Sequence, residues 1–129
     1  MRIKIEGIDH IVLTVNNLRE TIDFYSSILG MKEETFGTGR KALSFGLQKF
    51  NLHEKGKEFE PRAKQATPGA IDICLISSTP MDEIIGFLTS KNIPIEDGPV
   101  VRTGASGEII SVYIRDPDNN LIEISNPNE

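Results

Sequence analysis

Between Ile8 and Val15 the side chains alternate in kind. His10, Val12 and Thr14 fall on one face, and Asp9, Ile11, Leu13 and Val15 on the other. Period two with a largely apolar back predicts a half-buried strand. The period then lengthens: Leu18, Ile22, Tyr25 and Leu29 make one helical stripe. Asn17 is placed to cap this helix with Glu20 as its box partner, and Gly30 to end it. Three short strands are expected next, Met31 to Phe36, Lys41 to Phe45 and Lys49 to Glu54. Gly37-Thr38-Gly39 and Gly46-Leu47-Gln48 separate them. The order is β-α-β-β-β.

Residues 55 to 69 are polar, hold Pro61, Pro68 and Gly69, and follow no period, as a connection does. The pattern then returns. Ile71 to Ser77 reads as a strand. Thr79 is expected to cap a helix with Pro80 at its first position, and Met81, Ile84, Ile85 and Leu88 form the buried stripe. A strand near Ile95, a loop from Gly98 to Gly107 and a hairpin follow. The hairpin pairs Glu108–Arg115 with Leu121–Ser125 across Asp116-Pro117-Asp118-Asn119-Asn120. That turn lacks the glycine and glutamate an EF-hand needs at its sixth and twelfth positions; Leu121 and Pro127 stand there. The second half is again β-α-β-β-β. The expected fold class is α+β: two βαβββ units, about 7–54 and 69–126, within a single domain spanning 1–129.

The repeat carries the chemistry. Aligning Gly7-Ile8-Asp9-His10 with Gly69-Ala70-Ile71-Asp72 puts Asp72 where His10 stands. Aligning Phe50-Asn51-Leu52-His53-Glu54 with Asn120-Leu121-Ile122-Glu123-Ile124 puts Glu123 where His53 stands. Two imidazoles and two carboxylates at equivalent strand positions suggest one metal site on a pseudo-twofold axis. If each helix covers the Ile11/Leu13 or Ile73/Leu75 side of its sheet, the other faces line a cleft, and the four side chains are expected to converge there. A carboxylate buried between Ile122 and Ile124 would be costly alone, so a metal or a basic side chain is expected to hold Glu123. Cys74 shares the Asp72 face; a buried, inert thiol is its expected state.

Composition narrows the classes. A net charge of −5, with no basic stripe, lacks the footprint of a nucleic-acid binder. Apolar runs are far too short for a membrane span, and the N-terminal residues lack a signal-peptide core. Cys74 is the single cysteine, so no intrachain disulfide can form. A cytoplasmic location is expected.

Ile8-Asp9-His10-Ile11-Val12-Leu13 opening the first unit, and Asp116-Pro117-Asp118-Asn119-Asn120-Leu121-Ile122-Glu123 closing the second, resemble the vicinal oxygen chelate superfamily. Its members include glyoxalase I, methylmalonyl-CoA epimerase, extradiol dioxygenases, fosfomycin-resistance enzymes and bleomycin-binding proteins. Within it, Arg40 to Gly46, Gln48 to Glu54, Pro68-Gly69 with Asp72 to Ile76, and Gly98-Pro99-Val100 with Arg102 to Ala105 resemble the glyoxalase domain-containing protein 5 group most.

The resemblance implies metal ligands on the first and last strands of each unit: His10, His53, Asp72 and Glu123. Glyoxalase I and the epimerase usually carry His, or Gln in some, at the Asp72 position. Two nitrogens and two carboxylates suit Mn, Fe, Co, Ni or Zn. The implied enzyme is a metal-dependent lyase or isomerase. It would bind a small molecule through adjacent oxygens, with the metal as Lewis acid and Glu123 as catalytic acid–base. Arg102, before the flexible stretch Thr103 to Gly107, is the candidate substrate-binding cation; Arg40 and Lys41 carry a weaker signal of that kind. A homodimer is expected. The alternatives are a ring-cleaving Fe(II) dioxygenase, a thiol transferase of the fosfomycin-resistance type, and a non-catalytic small-molecule binder. Both histidines being ligands weighs against the dioxygenase, which needs another for proton transfer.

Overall fold

The computed structural model describes residues 1–128. The chain divides into two compact units, Met1–Pro68 and Gly69–Glu129. The first contains β1 (His10–Val15), α1 (Leu18–Ser27), β2 (Lys32–Phe36), β3 (Arg40–Phe45) and β4 (Gln48–Glu54). The second contains β5 (Asp72–Ile76), α2 (Met81–Ser90), β6 (Asp97–Gly104), β7 (Gly107–Arg115) and β8 (Leu121–Pro127). Their sheets have the same topology, β1-β4-β3-β2 and β5-β8-β7-β6. In each, the first and last strands pair in parallel and the remaining pairs are antiparallel. The α+β class and the paired βαβββ units are as the periodicity predicts.

In the first unit, the Asn17 side chain accepts the Glu20 amide at 2.9 Å and starts α1. Gly30, at φ +66°, supplies the left-handed residue just beyond its end. The helix buries Thr21, Ile22 and Tyr25. The Tyr25 ring stands edge-on to Phe50 at 5.8 Å. Phe50 shares its sheet face with Leu13, Leu43 and Leu52, all at most 2% exposed. The helix therefore covers the Leu13 face and leaves His10, Val12 and Thr14 on the other. Truncating Phe50 to Ala would cost about 3–5 kcal/mol.

The second unit builds its core from Ile84 and Leu88 of α2 and from Val112, Ile114, Ile122 and Ile124. Two details differ from expectation. The cap of α2 is Pro80, not Thr79, and the cap residue itself gives no side-chain hydrogen bond; Asp82 Oδ1 accepts the Glu83 amide at 3.0 Å instead. Ser77 Oγ already accepts the Thr79 amide at 3.0 Å, which holds Thr79 in the preceding turn. Asp82 and Glu83 in the first turn supply the negative charge that the helix start favours.

The stretch expected as a loop from Gly98 to Gly107 is mostly strand β6, paired along β7 with an irregularity between Asp97 and Val100. Hairpin pairing with β7 overrides the weak strand propensity of Gly and Pro here. Gly98, at φ +103°, makes this possible: a Cβ there would collide with the Ser111 carbonyl. Residues 116–120 form the expected turn. Asp116 Oδ1 accepts the Asp118 and Asn120 amides, both at 2.9 Å, and its Oδ2 accepts Asn120 Nδ2 at 2.8 Å. Among the described residues, no helix is long and apolar enough to cross a membrane.

Candidate metal centre and substrate pocket

The second unit holds a pocket of about 610 Å³. Strands β5 and β8 give it Cys74, Ile76, Glu123 and Pro127, and the β6–β7 hairpin gives it Arg102 through Ile109. The register explains the grouping. Cys74 stands beside Glu123, and Glu123 beside Tyr113. Asp72 lies on the same face, two positions from the Glu123 partner.

Glu123 is half-buried and is held by a hydroxyl rather than a basic side chain. Ser111 donates to its Oε2 at 2.6 Å. Ser111 Oγ lies 2.7 Å from Ser125 Oγ, which lies 3.2 Å from Cys74 Sγ. The carboxylate only accepts, so the protons run one way: Cys74 to Ser125, Ser125 to Ser111, Ser111 to Glu123. The expectation of a buried Cys74 is corrected, because the residue is exposed on the pocket wall. Alternation along a short edge strand puts it on the face that α2 does not cover. Desolvation pushes its thiol pKa up, Ser125 opposes this, and the Glu123 charge adds to it.

Arg102 belongs to strand β6 rather than to a flexible loop. Its Nε donates to the Tyr113 hydroxyl at 3.0 Å, and Nη2 lies 3.5 Å from Asp97. Its pKa is raised, first by the bond to Tyr113.

In the first unit, His10 is exposed at the start of β1. Its Nδ1 lies 2.8 Å from Asp9 Oδ1. Since the carboxylate accepts, Nδ1 carries the proton and Nε2 keeps the lone pair a metal takes. His53 is different. It pairs with Thr14, four positions beyond His10 along β1, a displacement of about 13 Å. It is only 2% exposed, and Arg40 Nη2 lies 3.3 Å from its Nε2. A guanidinium only donates, so Nε2 accepts and Nδ1 carries the proton. That Nδ1 is buried without a partner. Burial, and then the Arg40 charge, lower the His53 pKa, so the ring is held neutral.

These ladders correct the repeat alignment. With His10 superposed on Asp72, the residue in the place of Glu123 is Asn51, not His53. The overlooked signal is the apolar flanking, Phe50-Asn51-Leu52 against Ile122-Glu123-Ile124. Asn51 is 6% exposed, and its Oδ1 is buried without a partner. Among the described residues, no three His, Cys, Asp or Glu side chains are drawn together as a ready-made metal cluster. In the first unit His10 Nε2 and Asn51 Oδ1, and in the second the Asp72 and Glu123 carboxylates, are donors of the kind divalent ions take. His53, its acceptor nitrogen turned to a cation, is not.

Duplicated βαβββ units with a carboxylate-bearing pocket define a glyoxalase-type fold. The sequence profile of the Glyoxalase/Bleomycin resistance protein/Dioxygenase superfamily matches residues 7–124, and the chain belongs to that superfamily. It is similar to virulence protein STM3117 of Salmonella typhimurium, 54% identical over 121 residues that span 94% of this chain and 84% of that one. The crystal structure of STM3117 superposes with a TM-score of 0.95, covering 96% of this chain and 98% of that chain at 53% identity. Glyoxalase domain-containing protein RDO1 of Mycosarcoma maydis is 49% identical over 124 residues, 96% of this chain and 70% of that one. The superfamily includes enzymes, and its members often bind metals. The relatives named here carry no reaction in their names.

Proposed function

We propose that this chain is a metal-dependent, glyoxalase-like enzyme of the lyase or isomerase type, acting on a small molecule that presents adjacent oxygens. The observation that carries this reading is Glu123, half-buried in a pocket and oriented by Ser111 at 2.6 Å. A structural carboxylate would have been paired with Lys or Arg; this one faces space a substrate can fill.

Each unit offers one donor pair to an ion such as Mn, Fe, Co, Ni or Zn, His10 with Asn51 in the first and Asp72 with Glu123 in the second, and such an ion would supply Lewis-acid polarisation of a chelated carbonyl. The chain's own groups do the rest. Glu123 takes a proton from the carbon beside the carbonyl and returns it to the same or the neighbouring carbon. Ser111, fixed by Ser125, keeps the carboxylate aimed. Arg102 meets an anionic group of the substrate, exchanging its long contact with Asp97 for it. The exposed strand edges of each sheet suit pairing with a second copy, and the proposed assembly is a homodimer.

The test follows substrate α-protons by NMR in deuterated water, using hemithioacetals, 2-oxo acids and acyl thioesters. Solvent deuterium entering the α-carbon, lost in E123Q and after chelation, is the expected result. Oxygen uptake with a catechol, and no exchange across the panel, would overturn the reading in favour of a dioxygenase.

A further inference from the structure

Arg19, Arg62, Arg102 and Arg115 each contact a carboxylate. Arg40, the first residue of β3, pairs with no carboxylate among the described residues. A guanidinium has five N–H donors. One of them, from Nη2, goes to His53 Nε2 at 3.3 Å, and the buried Nε makes no hydrogen bond. The flat surface of the group is taken by aromatic rings, with Phe59 at 4.5 Å and Phe36 at 5.1 Å from its carbon. Lys49 Nζ lies 4.0 Å from the same Phe36 ring, and no carboxylate of the described residues pairs with it either.

Two cations thus share one ring, and neither is in an ion pair with a carboxylate of the described residues. Beneath them His53 Nδ1, a buried donor, has no acceptor. The acidic residues of the nearby connection are engaged elsewhere: Glu60 with Arg62 at 3.1 Å, and Glu58 with the Gly56 amide at 3.1 Å. Holding a guanidinium between rings leaves those of its terminal Nη donors that His53 does not take for a planar, two-oxygen group. The Phe59 ring also stands edge-on to His53 at 5.6 Å, on the side of Arg40 that belongs to the irregular connection.

We propose that Arg40, flanked by Lys49, is a carboxylate-binding site of the first unit, and that His53 is its positioning residue rather than a metal ligand. Through Nε2 the imidazole accepts from the guanidinium and so fixes the direction of its free N–H groups. The ligand class is a small organic acid. This assignment stands on the first unit alone and does not require a bound metal.

The test is an NMR titration of the full chain with succinate, and separately with inorganic phosphate, at constant ionic strength, with and without chelator. Succinate should shift the Arg40 Nε and His53 ring signals saturably and bind equally in both buffers. R40M should weaken it at least tenfold, and R40K, which keeps the charge without the fork, several-fold. H53L should weaken it about threefold or more, and H53Q, which restores an acceptor, should recover part of the loss. Affinity unchanged in R40M, or lost on chelation, overturns the site. Phosphate binding tighter than succinate overturns the carboxylate class. Wild-type affinity in H53L overturns the role of His53.

Discussion

Ser111 Oγ and Glu123 Oε2 are 2.6 Å apart, a short bond between adjacent strands of one sheet. Ser111 is itself fully buried, so its hydroxyl cannot turn to solvent. The S111A variant should fold, cost about 1–2 kcal/mol, and lower turnover more than it changes KM. Steady-state kinetics on a substrate found by proton exchange checks this. A variant with unchanged kcat would remove Ser111 from the working site.

Metal affinity should separate Asn51 from His53. H10A, N51A and E123A are each expected to weaken divalent-ion binding at least tenfold, because each removes a donor. H53L should change it less than threefold. Competition titration against a chromophoric chelator reads all four. Strong loss in H53L with none in N51A would restore the ligand set first suggested by the repeat.

Cys74 should behave as a slow thiol. Its pKa is pushed up by desolvation and by the Glu123 charge, so less thiolate is present near neutral pH than for an ordinary cysteine. Alkylation by iodoacetamide, followed by mass spectrometry across pH, should show a midpoint above the usual cysteine range. E123Q should move that midpoint down.

The turn between β7 and β8 ties three segments together. Asn120 Oδ1 accepts the Ile71 amide at 2.9 Å while its Nδ2 serves Asp116. Both side chains are buried, so N120A takes the acceptor from the Ile71 amide and one donor from Asp116 Oδ2 at once. A loss of about 2–3 kcal/mol is expected in urea unfolding. A loss under 0.5 kcal/mol would mean the turn closes without this knot.

Glu33 gives a pH dependence of known sign. Its pKa is lowered, chiefly by Arg19, at 3.0 Å, and next by Lys41, at 3.1 Å. A depressed carboxylate adds stability above its unfolded pKa, about 4.3, and loses it as pH falls through the folded value. Tm of wild type should therefore exceed that of E33Q at neutral pH, and the two should converge in acid. A gap that widens toward acid would contradict the assignment.

Much of this was legible from period alone. Leu18, Ile22 and Tyr25 marked α1 because a buried helix face leaves a 3.6-residue trace. The strand β6 was hidden because its Gly98, Pro99 and Gly104 signal a loop, while the strand is made by hairpin pairing with β7, which follows after only two residues. Glu123 was visible as a carboxylate between isoleucines. Asn51 was not, because an amide carries no charge and His53, two residues on, drew the eye. Only the Lys49–His10 ladder, a property of paired strands, distinguishes them.

One wall of the Glu123 pocket is the tip of the β6–β7 hairpin, at Ala105 and Ser106, exposed and outside the apolar core. Residues there can be exchanged, or one inserted, without disturbing the ladder that carries Ser111 and Glu123. On the proposed function, substrate range and chemistry would thus be under separate genetic control: descendants of this unit could change what they accept while keeping the Glu123 carboxylate where it is.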